Sequence, residues 1–309
     1  MGRKFQIFTE VCSFQGSLKS GAKKKHMNDK TCLITGATSG IGKAAALALA
    51  KMGYGLILLG RNEAKLEKTC REVRLKSSNY RIGSYICDLS VMKDVRVAAD
   101  RIKGENDRID VLINNAGARF LQHEVTKEGI ELTLATNHLG HFVLTLSLIK
   151  LLEKSGRARI INVSSGTHYA GTGDIENILS ARDYDGRKQY ANSKLANVLF
   201  TYALADKLNG RGITANAVNP GGVATNFARN NGLKHWLRHR IYYLSKRQLL
   251  TPKQGAETLL FLASSEDVAG ITGKYFADKK EKRSSDISHD KEAQEKLWAK
   301  SVSLSGIDI

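Results

Sequence analysis

Proline and cysteine are scarce in this chain: 309 residues hold two prolines and four cysteines, and aromatic residues make up only 7%. So little proline excludes proline-rich, collagen-like and mucin-like repeats. The cysteines, Cys12, Cys32, Cys70 and Cys87, stand far apart with no CxxC pair, so neither a zinc site nor a disulfide framework is indicated. Cys32 and Cys87 fall in apolar, strand-like runs and read as buried thiols in a reducing, intracellular and cytoplasmic setting. Acidic residues are also short, 30 Asp and Glu against 48 Lys and Arg, a formal net charge of +18. No stretch reaches the roughly 18 uninterrupted apolar residues of a membrane span. Phe5 to Phe14 is too broken by polar residues for a signal-peptide core, so no transmembrane anchor is expected.

What is present has three textures. Residues 1–30 carry Arg3, Lys4, Lys19, Lys23, Lys24, Lys25 and Lys30 against Glu10 and Asp29, without a sustained apolar period, and read as a disordered basic leader. Its scarcity of acids leaves organelle targeting open, although the arginine-rich amphipathic pattern is weak. From Thr31, short runs such as TCLIT, GLILLG, VLINNAG, RIINVSS and ITANAVNP alternate with alanine- and leucine-rich segments long enough for helices. Parallel neighbours need crossovers that cover both faces. The expected fold class is therefore α/β: one doubly wound, Rossmann-type parallel sheet with helices on both faces, over 31–277. Residues 278–309 read as a C-terminal tail with a helical stretch near Ala293–Trp298 that docks on the domain.

The first strand runs into Gly36-Ala37-Thr38-Ser39-Gly40-Ile41-Gly42 and then a helix. Glycines there let the backbone approach a pyrophosphate, whose charge is met by amides at the helix start. A structural tight turn explains the same triplet, so the loop alone is a weak signal. The second strand ends in Gly60-Arg61-Asn62, where an acid would bind a free ribose 2′-hydroxyl. No acid stands there. A guanidinium suits a 2′-phosphate, which points to NADP(H) with Arg61 as its reader; the alternative is an exposed arginine on a solvated helix start.

Tyr190 and Lys194 are four apart in a segment of strong helical pattern, so both fall on one face. An ammonium beside a phenol favours the phenolate and makes the tyrosine a usable acid or base. The strand before them ends in Ser164-Ser165, where a hydroxyl can hold a carbonyl at the sheet's carboxyl edge. Another strand ends in Asn114-Asn115-Ala116-Gly117, and Asn137 lies among apolar neighbours in TNHLGHF. Each of these taken singly is equally a loop, a cap or a satisfied core amide. His138 and His141 have no accompanying carboxylate, so no metal is assigned.

Taken in order, TGATSGIG, NNAG, Asn137, the serine after a strand, and YANSK resemble the short-chain dehydrogenase/reductase family over about 31–277. The resemblance implies Ser165, Tyr190, Lys194 and Asn137 as the catalytic four. Tyr190 would exchange the proton, Ser165 orient the carbonyl, Lys194 lower the phenol pKa and hold the ribose, and Asn137 hold a relay water. It implies cofactor contacts from Gly36, Ser39, Gly40, Ile41, Gly42, Asp88, Leu89, Asn114, Ala116, Gly117, Tyr190 and Lys194. Pro220 and Gly221 through Thr225 would cradle the nicotinamide.

The long step from Ser165 to Tyr190, with SKLANVLFTYALADKL and TGKYF, resembles the retinol dehydrogenase-like branch. That implies an NADP(H)-dependent oxidoreductase interconverting alcohol and carbonyl on a small lipophilic molecule, retinoid-like, aliphatic or steroid-like. Asn219, where histidine is frequent, and the leader without a hydrophobic anchor depart from it. Residues 227–253 combine Arg229, Lys234, Arg238, Arg240, Lys246, Arg247 and Lys253 with Leu233, Trp236, Leu237, Ile241 and Leu244 at helical spacing. The spacing reads as an amphipathic helix with a basic face, which the resemblance implies to be the substrate lid, with a core-packing helix or peripheral membrane contact as the other readings. The resemblance also makes a homo-oligomer an expectation. Two other classes compete: a nucleotide-sensing interaction protein without turnover, and a nucleic-acid binder suggested by the charge. No specific nucleic acid is assigned, because no recognised motif accompanies the basic excess.

Overall fold

In the computed structural model of the chain, the residues described are 29–180, 184–224, 227, 231–232, 237, 241 and 249–309. Among them, β1 (Thr31–Thr35), β2 (Gly55–Gly60), β3 (Ile82–Ile86), β4 (Val111–Asn114), β5 (Ala158–Val163), β6 (Ile213–Asn219), β7 (Lys274–Ala277) and β8 (Lys280–Lys282) build one sheet. Its order is β3-β2-β1-β4-β5-β6-β7-β8, parallel except for the β7–β8 pair. Side chains alternate across each strand, so Leu33 enters one core and its neighbour Ile34 the other. The first core is shared with α3 (Met92–Glu105), α4 (Leu132–Glu153) and α5 (Gly186–Lys207); the second with α1 (Gly40–Lys51), α2 (Glu63–Ser77) and α6 (Glu257–Ser264).

The chain winds from β1 outward through β2 and β3, then returns to place β4 on β1's other side, with Ile34 opposite Ile113. Connections therefore part in opposite directions above β1 and β4, and a crevice opens at their carboxyl ends. The 22-residue α4 is long and apolar enough to cross a membrane, but most of its apolar stretch is buried in this core. Its register slips through a π-helical turn at Ala135–Leu139, the turn that carries Asn137.

The chain after Ala277 continues the same body. Asp278 and Lys279 both take positive φ, 53° and 60°, the pair of left-handed residues that turns a two-residue hairpin into antiparallel β8. Beyond it α7 (Lys291–Ser305) lays Ala293, Leu297 and Trp298 into the first core. The Trp298 ring stands edge-on to Phe142 at 5.1 Å and stacks near Phe200 at 6.0 Å. Local sequence alternation does not reveal β8, whose three residues Lys280, Glu281 and Lys282 are all exposed on the sheet edge, where charge discourages further pairing.

Candidate active site

Two backbone crossings shape the crevice. Gly36 turns with φ +66°, and a Cβ on it would stand 2.8 Å from Ala116 Cα. A Cβ on Gly42 would stand 2.5 Å from Asn115 Nδ2 and 2.6 Å from Gly36 O. Only glycine allows the loop after β1 to lie against the turn after β4. Asn115 ties the two together, its Nδ2 donating to Thr35 O at 2.8 Å. Ser39 precedes α1 with extended backbone and no side-chain cap, and the first turn of α1 has no acid, which leaves its amides directed at the crevice.

The resulting cleft holds about 830 Å³ and is walled by the residues 36 and 38–43, by Arg61, and by Asp88, Leu89, Ala116 and Gly117. Asn62, not Arg61, caps α2 by accepting from Lys65 N at 2.9 Å, so the exposed Arg61 guanidinium is not consumed in starting that helix. Lys65, Lys68 and Thr69 extend the same wall and were not singled out from the sequence. Their spacing along α2 behind Arg61 was the available signal. Asp88 accepts from Ser90 N and Ser90 Oγ at 3.0 and 2.7 Å, which orients its carboxylate at the rim. Leu89 is held by a close crossing with α4, where a Cβ on Gly140 would fall 2.1 Å from Leu89 O.

Gly117, on the cleft wall, meets two of the residues expected from the sequence to be catalytic, Lys194 and Asn137. A Cβ there would lie 3.3 Å from Lys194 Nζ and 3.5 Å from Asn137 Oδ1. Lys194 is buried and donates to Val163 O at 3.0 Å; burial pushes its pKa down to about 8. Its Nζ lies 5.7 Å from the centroid of the half-buried Tyr190 ring. Tyr190 also faces Phe227, with ring centroids 5.1 Å apart, and the Arg119 guanidinium, 6.0 Å from its centroid. Ser165 follows β5 and accepts from Thr167 N at 3.2 Å, which leaves its own O–H as a donor. Its neighbour Ser164 is buried and donates to Lys194 O at 2.8 Å, a structural tie that locks β5 to α5.

Asn137 is buried, and both its amide hydrogens are committed, to Ala118 O and to Ser193 Oγ at 2.9 Å each. Its Oδ1 accepts from Ala118 N at 2.8 Å. The amide thus clasps the turn after β4 to α5, so a relay water would need a holder other than these side-chain hydrogens. The histidines beside it serve packing and positioning. His138 bonds Ser301 on α7 at 2.9 Å, while His141 bridges Asn137 O and Thr35 Oγ1 at 3.0 and 2.9 Å.

Asn114 corrects the sequence reading. It is buried in the sheet, donating to Thr145 Oγ1 and Asn162 Oδ1 at 2.9 and 2.8 Å, and the cleft wall is Asn115 instead. Strand alternation is the reason: the residue that ends β4 points into the core, and the next one turns to the crevice. Pro220 and Gly221 do not line the mapped cleft. Gly221, at φ +80°, donates its amide to Asn219 Oδ1 at 3.0 Å, and the segment hydrogen-bonds back on Leu250 through Gly222 O and Ala224 N. Thr225, the leader up to residue 28 and most of 227–253 lie outside the described residues; Leu237 and Ile241 of that segment are exposed.

Comparison with known proteins matches this architecture. A family model described as short chain dehydrogenase covers residues 30–236. The chain is similar to retinol dehydrogenase 13 of Homo sapiens, 37% identical over 285 residues, covering 90% of this chain and 85% of that protein. Among solved structures it resembles a protein from Mycobacterium paratuberculosis, with TM-score 0.72 and 28% identity over 94% of this chain and 99% of that one. It also resembles a short chain dehydrogenase from Shigella flexneri complexed with NADP, with TM-score 0.64 and 26% identity over 84% of this chain and 100% of that one.

Proposed function

This chain belongs to the short-chain dehydrogenase family, and on that premise we propose that it is an NADP(H)-dependent oxidoreductase interconverting a lipophilic alcohol and its carbonyl. The observation that carries the reading is the meeting at Gly117, a glycine of the cleft wall whose missing side chain leaves room beside Lys194 Nζ and Asn137. Gly117 thereby adjoins the nucleotide-sized space on one side and Lys194 and Asn137, which do not themselves line it, on the other. The cleft also fits the cofactor chemically: glycines permit close approach of a pyrophosphate, and Arg61 with Lys65 and Lys68 offers three cations where a 2′-phosphate adds negative charge. Bound there, the nicotinamide supplies or accepts the hydride.

The chain's own residues handle the proton and the oxygen. Tyr190 gives its phenolic proton to the carbonyl oxygen on reduction and removes the hydroxyl proton on oxidation, work typically worth about 10²–10⁴-fold in rate. Lys194 and Arg119 place positive charge beside its ring and favour the phenolate. Ser165 donates its O–H to the substrate oxygen and holds it at the tyrosine. Asn137 clasps the turn at Ala118 to α5, which keeps Gly117 and Tyr190 in register. A lipophilic substrate is supported by the similarity to retinol dehydrogenase 13 and by the apolar Phe227 ring packed at a tilt beside Tyr190.

The test is oxidation of NADPH, beside NADH, over retinal, aliphatic aldehydes and steroid ketones, with wild type and Tyr190→Phe. Tyr190-dependent consumption of NADPH with one carbonyl class is the expected result. Tight NADPH binding without turnover on any of them would favour a sensing role for the same cleft.

A further inference from the structure

We propose that His168 is a positioning residue for Ser165, braced by residues 283–289, so that a segment well beyond the matched family region sets the geometry of the reacting hydroxyl. The proposal rests on the role given to Ser165 above. After β5, Ser165 opens a single 3₁₀ turn, Gly166–Ala170, whose Ser165, Gly166 and Thr167 are partly or fully exposed. Such a short turn has few bonds of its own. The Ser165 carbonyl is nevertheless held twice by one residue: His168 N donates to it at 3.1 Å, and His168 Nδ1 at 2.8 Å.

The other edge of that imidazole reaches across the fold. His168 Nε2 accepts the backbone N–H of Ser285 at 3.1 Å, a partner 117 positions away. With a carbonyl at Nδ1 and an amide donor at Nε2, only the neutral tautomer with its hydrogen on Nδ1 satisfies both. The ring is fully buried between Tyr169, with centroids 4.0 Å apart, and Tyr275 of β7, at 4.7 Å. Tyr169 donates to Arg283 O, and the turn's exit is pressed on the same segment, since a Cβ on Gly173 would fall 2.4 Å from Ile287 Cγ1.

The brace is itself stiff. Ser288 donates to Ser285 O through both N and Oγ, at 2.9 and 2.6 Å, and Ser284 Oγ bonds Tyr202 OH of α5 at 2.6 Å. Force on Ser165 is therefore carried through one imidazole to the sheet edge and to α5. Misplacement of a reacting group by about 1 Å can cost 10²-fold in rate, so a turn this small gains from an outside support.

Ser285 has φ −58° and ψ 146°, a backbone that proline adopts, so Ser285→Pro removes the one N–H that His168 uses and sets the ring Cδ in its place, which pushes the imidazole off its brace. Ser285→Pro and His168→Leu are expected to lower kcat for carbonyl reduction about tenfold with the NADPH KM unchanged, and His168→Asn, which keeps a donor near Nδ1, to recover part of the loss. Placed on Ser165→Ala, neither change should cost anything further, because both act through that hydroxyl. Hydrogen exchange over residues 164–171 should quicken in Ser285→Pro and keep wild-type protection in Ser285→Ala, which retains the amide. Losses that add fully to that of Ser165→Ala, or unaltered exchange in Ser285→Pro, would overturn the proposal. A wild type that turns over no carbonyl would sink the proposed reaction, and the exchange measurement would still decide the brace.

Discussion

Thr35 Oγ1 and His141 Nε2 lie 2.9 Å apart in the buried floor of the cleft, joining the end of β1 to the helix that carries Asn137. The same hydroxyl accepts the amides of Asn115 and Ala116 at 2.9 Å each, so its O–H is left to donate, and the imidazole at 2.9 Å is a nearer acceptor than Ile113 O at 3.5 Å. His141 Nδ1 in turn donates to Asn137 O at 3.0 Å. The end of β1 and the turn that carries Asn137 are thus joined by one imidazole, which must be neutral to accept at Nε2 while it donates at Nδ1.

That requirement makes stability pH-dependent. Burial pushes the pKa of His141 down to about 3 and that of His138 down to about 4. A histidine whose folded pKa is depressed contributes stability that is full above its unfolded value near 6.5 and is lost as pH falls toward the folded value. Urea unfolding followed between pH 7 and pH 4 should show a falling midpoint, and His141→Gln should flatten the slope. Equal slopes in the two proteins would contradict the assignment.

Lys194 carries the same sign of linkage in a higher pH window. Its folded pKa of about 8 lies below the ordinary value of 10.5 because burial penalises the ammonium, so stability is lost as pH falls from about 10.5 toward 8, and the full cost is present at pH 7. Lys194→Met should be within about 1 kcal/mol of wild type in urea unfolding at pH 7, or more stable, while carbonyl reduction falls by about 10²-fold or more. A large loss of stability would mean that the bond to Val163 O outweighs the desolvation.

Arg61 stands free of helix capping, and a charge-assisted contact to a phosphate is worth about 1.5–3 kcal/mol. Arg61→Ala is expected to raise the NADPH KM about tenfold to a hundredfold and leave the NADH KM nearly unaltered. Steady-state kinetics with both nucleotides would show it, and equal changes would remove the 2′-phosphate assignment.

Arg119 is 6.0 Å from the Tyr190 centroid and 5.6 Å from that of Phe227. Its charge does not titrate in the working range, whereas that of Lys194 does. Taking a cation from beside a phenol makes the phenolate harder to form. Arg119→Met should therefore move the acid limb of alcohol oxidation to higher pH, by roughly half a unit to one unit, with Arg119→Lys nearer wild type. A profile that does not move would show the guanidinium to be a packing element only.

Local pattern made much of this legible. The glycine loop lies between a strand and a helix that sequence periodicity already marks, and Tyr190 and Lys194 share a helix face by spacing alone. The outer wall of the cleft was only partly visible: Arg61 follows a strand, while Lys65 and Lys68 resemble any solvated helix face until α2 is seen beside α1 and β2. Asn115 lines the cleft where Asn114 was expected, because adjacent residues at a strand end face opposite ways, which a motif read as a string does not resolve. His168 and Arg119 gave no signal, since isolated residues declare a role only through distant partners.

The division follows the range of the interactions. Periodicity, the glycine turn and four-residue helical spacing are properties of neighbours along the chain, so the amino-acid sequence alone determined the α/β class, the nucleotide loop and the tyrosine–lysine pair. Contacts between residues far apart depend on how strands order and how helices cross, and only the tertiary structure decided them. It placed Gly117 against Lys194, His141 beneath the cleft, and Ser285 behind His168. Burial and close packing, which local sequence does not encode, are what turn those residues into a site.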